Sequence, residues 1–160
     1  MMSKVHLVFG SQGAGKSTYS KKLAEKINGV YLSIDEWMWE LYGADLPTPM
    51  NLKWIQERVE RCEKRIWATT KQILICNGNV ILDLGFMKVK NREMYLDLAK
   101  ELKVSIQLHY VDAQYSTRYK RVIERNLKKE QTFSFEVTPI MLKLWKKNLK
   151  SLLKKNCKML

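Results

Sequence analysis

The chain has 160 residues, a formal net charge of +13 and 46% apolar residues. That length supports one ordinary domain with a core, residues 1–160, and the apolar share excludes a disordered chain. Cys62, Cys76 and Cys157 show neither metal-ligand spacing nor an even framework, which excludes a disulfide scaffold and suits a reducing, cytoplasmic setting. The short stretch before residue 10 leaves no room for a secretory signal, and no run is long enough to cross a bilayer, so no membrane partner is expected. Residues 1–100 hold 15 Lys/Arg against 11 Asp/Glu, and residues 101–160 hold 14 against 5. The basic second half suits an anionic partner, with nucleic acid among the options, or a solvated Lys-rich face.

Val5 to Phe9 reads as a short buried parallel strand. Gly10-Ser11-Gln12-Gly13-Ala14-Gly15-Lys16-Ser17-Thr18 follows and fits G-x-x-x-x-G-K-[ST] at every fixed position. In such a loop the backbone N–H groups surround phosphate oxygens, and glycines let the chain approach the anion. Gly10, Gln12, Gly13, Ala14, Gly15, Lys16, Ser17 and Thr18 are the expected triphosphate-binding residues. Lys16 would reach the β/γ-phosphates and Ser17 would offer its hydroxyl to Mg²⁺. Tyr19, Leu23, Ala24 and Ile27 then form the apolar stripe of a helix that Asn28-Gly29 stops.

Residues 30–34 read as a second strand and 36–42 as a short helix ended by Gly43, with Pro47 and Pro49 marking a loop. A long helix is expected over 52–76, with Ile55, Val59, Cys62, Ile66 and Ile73 as its buried stripe. Glu57/Arg61 and Glu60/Lys64 are i,i+4 pairs on its outer face. Residues 80–84 form a third strand, 91–102 a helix, 104–111 a fourth strand and 113–129 a basic helix. Thr138-Pro139 opens a last helix to about residue 155, and residues 131–137 alternate too weakly for a fifth strand.

Strands alternating with helices imply a parallel sheet of about four strands covered on both faces. Ligands of such sheets lie at the carboxyl ends of the strands. Asp35 follows the second strand, where a carboxylate can take the proton of an attacking hydroxyl. It can also cap the helix beginning at Glu36, and the two roles are compatible. Asp83 ends the third strand as a Walker-B carboxylate does and could hold Mg²⁺, or cap a loop. Arg118, Arg121 and Arg125 lie on the basic helix; as a lid they could neutralise a transferring phosphoryl group, or simply face solvent. Arg92 is a weaker substrate-contact candidate. His6 and His109 fall inside strands and read as core or rim histidines. Trp37 and Trp39 could line an acceptor pocket or belong to the core.

The loop, Ile34-Asp35-Glu36-Trp37, Val80-Ile81-Leu82-Asp83-Leu84-Gly85-Phe86 and Arg118-x-x-Arg121-x-x-x-Arg125 together resemble the small P-loop kinases of the predicted-kinase group, across roughly residues 4–145. That group is akin to the 5′-hydroxyl polynucleotide kinase domain, gluconate and shikimate kinases, and chloramphenicol phosphotransferase. The resemblance implies a three-layer, nucleoside monophosphate kinase-like P-loop fold with the first strand between the third and fourth, and ATP-dependent phosphoryl transfer to a hydroxyl acceptor. It implies that Lys16 and Ser17 bind ATP with Mg²⁺, that Asp83 matches the carboxylate after the third strand, and that Asp35 is the general base. Arg121 and Arg125 would be lid arginines on the helix over 113–129, with Arg118 beside ATP. The alternative is an ATP-binding protein that acts through partners without catalysis. A GTPase is excluded by the lack of a guanine-reading Asn-Lys-x-Asp string.

Overall fold

In the computed structural model, which describes residues 3–85 and 89–128, β1 (Lys4–Gly10) runs through the centre of a four-stranded parallel sheet. Its neighbours are β3 (Asn79–Asp83) and β4 (Ser105–Val111), as expected from sequence; β2 (Gly29–Ser33) lies outside β3, giving the order β2-β3-β1-β4. Val5 pairs with Val80 on one side and Ile106 on the other, and Ser33 pairs with Asp83. β1 and β3 are nearly all buried, which explains their unbroken apolar runs.

The pleat sorts side chains to two faces. Val5, Leu7, Val80 and Leu82 pack with Cys62, Ile66 and Leu74 of α3 (Leu52–Ile75), with Met38 of α2 (Ile34–Tyr42) and with Tyr95 of α4 (Val89–Glu101). Val8 and Ile81 face the other way and pack on Ala24, Leu23 and Ile27 of α1 (Lys16–Ile27). The result is the expected three-layer α/β P-loop arrangement. The basic helix is α5 (Tyr115–Lys128). The expected helix over 138–155, the weak alternation at 131–137 and Cys157 lie outside the described residues. No helix among the described residues is long and apolar enough to cross a membrane.

Local signals fix most boundaries. The Asn28 C-cap stands at φ 50° and donates its backbone N–H to the Ala24 and Glu25 carbonyls, ending α1 where Asn28-Gly29 predicts. Asn51 caps α3, its side chain accepting from the Trp54 N–H at 3.0 Å. Two details differ from expectation. The α3 core stripe continues through Thr70 and Leu74, with Ile73 only partly buried, because the i,i+4 row from Cys62 and Ile66 governs the contact. Glu57 pairs with Arg58 at 3.6 Å, and Glu60 accepts from Gln56 at 3.1 Å; these are the contacts the two glutamates make in place of those expected with Arg61 and Lys64.

Candidate active site

β1 delivers the loop to the carboxyl edge of the sheet, and its glycines are demanded by close approach. A Cβ on Gly10, at φ 152°, would overlap the Val111 carbonyl of β4. A Cβ on Gly13, at φ 74°, would stand 2.6 Å from the Arg118 carbonyl oxygen of α5. The loop is therefore pressed between β4 and α5, and only glycine fits at these two points. α1 begins at Lys16 with Gly15 as N-cap and no side chain capping it. Its first N–H groups are thereby left to face the cleft, an arrangement that favours an anion.

That cleft measures about 590 Å³ and is lined by Gln12 to Tyr19, Lys22, Ile34, Asp35, Asp83, Gly85, Arg121, Val122 and Arg125. Lys16 donates to the Ser11 carbonyl at 3.3 Å. Burial holds its pKa below the ordinary lysine value; the Asp83 and Asp35 carboxylates oppose this, while Arg125 and Arg118 reinforce it. Ser17 Oγ donates to Asp83 Oδ2 at 2.9 Å, and the Tyr31 hydroxyl donates to the same oxygen at 3.4 Å. Burial raises the Asp83 pKa, while Lys16, Ser17 and Tyr31 pull it down. Burial also raises the Tyr31 pKa, with the Asp83 charge adding to it, so the phenol stays protonated and keeps its donor.

The residues suit a magnesium–triphosphate group. Ser17 and Asp83 present a hydroxyl and a carboxylate oxygen side by side, and no cluster of three or more His, Cys, Asp or Glu occurs among the described residues. Mg²⁺ takes one or two such protein ligands and completes its shell from water and substrate phosphate oxygens. Arg125 lines the cleft with a buried Nε that has no hydrogen-bond partner among the described residues. Four cationic side chains, Lys16, Lys22, Arg121 and Arg125, thus line one space, as a polyanion requires.

The remaining predicted residues distribute as follows. Arg121 lies against the loop, its Nη1 donating to the Gly13 and Ala14 carbonyls at 3.3 and 3.5 Å. Arg118 is buried; its Nε donates to the Ala113 carbonyl at 3.0 Å and its backbone packs on Gly13. It meets the loop through the main chain and lies outside the cleft lining. Thr18 lines the cleft from α1. Arg92 is buried with its guanidinium 4.5 Å from the Phe9 ring centre, away from the cleft. His6 and His109 join in a chain: Tyr19 Oη to His109 Nδ1 at 2.7 Å, and His109 Nε2 to His6 Nδ1 at 2.9 Å.

Asp35 is not the α2 cap. The helix starts at Ile34, and the cap is Ser33, whose side chain accepts from the Glu36 N–H at 3.4 Å. The cap falls earlier than expected because β2 ends at Ser33, its last pairing with β3. Asp35 sits instead in the first turn, where a carboxylate is favoured by the helix dipole. Its position joins the main cleft to a second pocket of about 190 Å³, whose other walls include Met38, Trp39, Leu46, Ile55 and Val59. The tryptophan pair therefore divides, with Trp39 on the pocket and Trp37 packed against the core. In the sequence, Tyr31 and Ser33 read only as strand residues, and Gly85 only as part of the motif around Asp83. Tyr31 reaches Asp83 only because β2 lies beside β3, a pairing that one strand's residues do not encode.

A family model described as an AAA domain matches residues 5–152. No curated protein matches the chain at a significant level. Among solved structures, a candidate kinase from Chloroflexus aurantiacus J-10-fl is similar with a TM-score of 0.71 and 18% identity, over 90% of this chain and 75% of that one. Deoxyadenosine kinase from M. mycoides gives 0.58 and 19% identity, over 96% and 85%. A chain of the Pnkp1/Rnl/Hen1 complex gives 0.61 and 21% identity, over 75% of this chain and 39% of that one. At these identities the structures speak for the fold alone, a P-loop α/β arrangement, and by the family match over residues 5–152 the chain belongs to the AAA-domain family.

Proposed function

We propose that the protein is an ATP-dependent kinase that transfers the γ-phosphoryl group to a hydroxyl acceptor, either a small molecule or a 5′-hydroxyl polynucleotide. The observation that carries this reading is the position of Asp35 on the wall shared by the phosphate-loop cleft and a second pocket. A carboxylate there stands between donor and acceptor and can accept the hydroxyl proton. Gly10, Gln12, Gly13, Ala14, Gly15 and Thr18 cradle the triphosphate, with Arg118 bracing Gly13. Lys16, Arg121 and Arg125 balance charge on the phosphates, and Ser17 and Asp83 hold the cation. Bound Mg²⁺ supplies further neutralisation of phosphate charge. Catalysis by such a site is mostly positioning and charge balance.

The test is an acceptor screen with γ-labelled ATP, run on the wild type and on Asp35→Asn. The variant is expected to lose about 100-fold or more in transfer while its ATP affinity stays within about threefold. Equal turnover in the variant would remove Asp35 as base. Slow ATP hydrolysis indifferent to every acceptor would overturn the kinase reading itself. A polynucleotide acceptor would show binding that weakens with salt, by a log–log slope of about 0.9 per phosphate contacted.

A further inference from the structure

The second pocket carries more information than its position. Met38, Trp39, Leu46, Ile55 and Val59 give it an apolar lining, and Asp35 is the one charged side chain among the described residues around it. Its volume is about 190 Å³. An apolar cavity of about 150 Å³ already admits benzene, so this pocket takes one ring and a few further atoms. Gly43 packs closely on the Trp39 indole, where an added Cβ would sit 3.2 Å from the ring. Leu46 is 36% exposed and forms an open rim.

The chemistry of these walls discriminates among acceptors. A phosphate or carboxylate entering here would shed water with no described cation to replace it, next to a like charge on Asp35. A polyol or a nucleobase would leave several polar groups unpaired, because Gln12 and the indole N–H of Trp39 are the other polar side-chain groups in the described lining. An apolar ring meets none of these penalties, and one hydroxyl on it can be satisfied by Asp35.

Resting on the kinase reading above, we propose that this pocket is the acceptor subsite and that its substrate is a neutral alcohol built on a single apolar or aromatic ring. In the transfer, the acceptor oxygen bonds to the γ-phosphorus as the bond from that phosphorus to the β–γ bridging oxygen breaks. The acceptor proton passes to the Asp35 carboxylate, and the nucleoside diphosphate departs with the bridging electron pair. The product is a phosphate monoester whose charge disfavours its staying among apolar walls, which promotes release.

The experiment compares 2-phenylethanol, gluconate, deoxycytidine and a 5′-hydroxyl oligothymidylate as acceptors of label from ATP. In parallel, intrinsic tryptophan fluorescence follows direct binding of 2-phenylethanol. The expected result is labelling of 2-phenylethanol in preference to the others, with a fluorescence change on binding. Leu46→Lys, at the exposed rim, should weaken both KM and binding for 2-phenylethanol about tenfold and leave KM for ATP within about twofold. Transfer to gluconate, deoxycytidine or the oligonucleotide in preference to phenylethanol would overturn the proposal and leave the kinase reading standing. Binding of phenylethanol with no transfer to any acceptor would overturn the kinase reading and leave the pocket's ligand class intact. No fluorescence change at millimolar phenylethanol, or a change that Leu46→Lys does not weaken, would overturn the assignment of the pocket.

Discussion

Asp83 Oδ2 receives two hydroxyl donors, Ser17 from α1 and Tyr31 from β2. Burial raises the Asp83 pKa, and the Lys16 charge together with these two hydrogen bonds opposes that rise. Tyr31→Phe removes one donor and leaves the ring. The expected result, by calorimetry, is a loss of about two- to fivefold in Mg²⁺-dependent ATP affinity, with affinity in chelator unchanged. Asp83→Asn should abolish the Mg²⁺ increment. If Tyr31→Phe weakens ATP equally with and without Mg²⁺, the phenol serves the fold and not the cation site. At this scale the sequence was legible wherever the chemistry is contiguous. The Gly10 to Thr18 run declares a phosphate loop because neighbouring residues build it. Tyr31 and the Gly43–Trp39 contact declare nothing, because their partners come from distant segments or from packing alone.

Among the elements, α2 shows why a boundary shift of two residues matters. With Ser33 as cap, Asp35 sits in the first turn, anchored by a neighbour in the β2–β3 ladder. Ser33→Ala should cost about 1 kcal/mol in urea unfolding. It should also lower the turnover number for the acceptor more than it raises KM for ATP, since the turn carrying the proposed base loosens. Full stability in Ser33→Ala would show that the 3.4 Å contact does not cap the helix. Periodicity found α3 and most of its stripe, yet missed Thr70, which is fully buried with a hydroxyl lacking a hydrogen-bond partner among the described residues. A polar residue in the contact row is invisible to an apolar count. Alternation made the parallel sheet legible, while the strand order came only with the P-loop fold that the motifs resemble.

Across the molecule, the Tyr19–His109–His6 chain links α1, β4 and β1. Burial, with help from the charges of His109 and Lys4, lowers the His6 pKa to about 4. The unfolded chain, with an ordinary histidine near 6.5, therefore binds more protons than the folded one between those values. Stability from this group is complete above pH 6.5 and is lost as pH falls toward 4. Between pH 6.5 and 5, before most carboxylates titrate, the loss should reach up to about 2 kcal/mol. His6→Gln, neutral throughout, should flatten the decline of the urea midpoint in that window. An unchanged slope would show that other groups set the acid response.

The central place of β1 has a consequence for biosynthesis. Val5 finds its strand partners at Val80 and Ile106, 75 and 101 residues later in the chain. At a synthesis rate of about 5–20 residues per second, the phosphate loop waits roughly 5–20 s before its second flank emerges. Gly10 cannot be pressed on Val111, nor Gly13 on Arg118, until β4 and α5 exist. The nascent chain therefore carries the whole nucleotide motif long before it can grip a nucleotide, and the grip marks that the sheet has closed around β1.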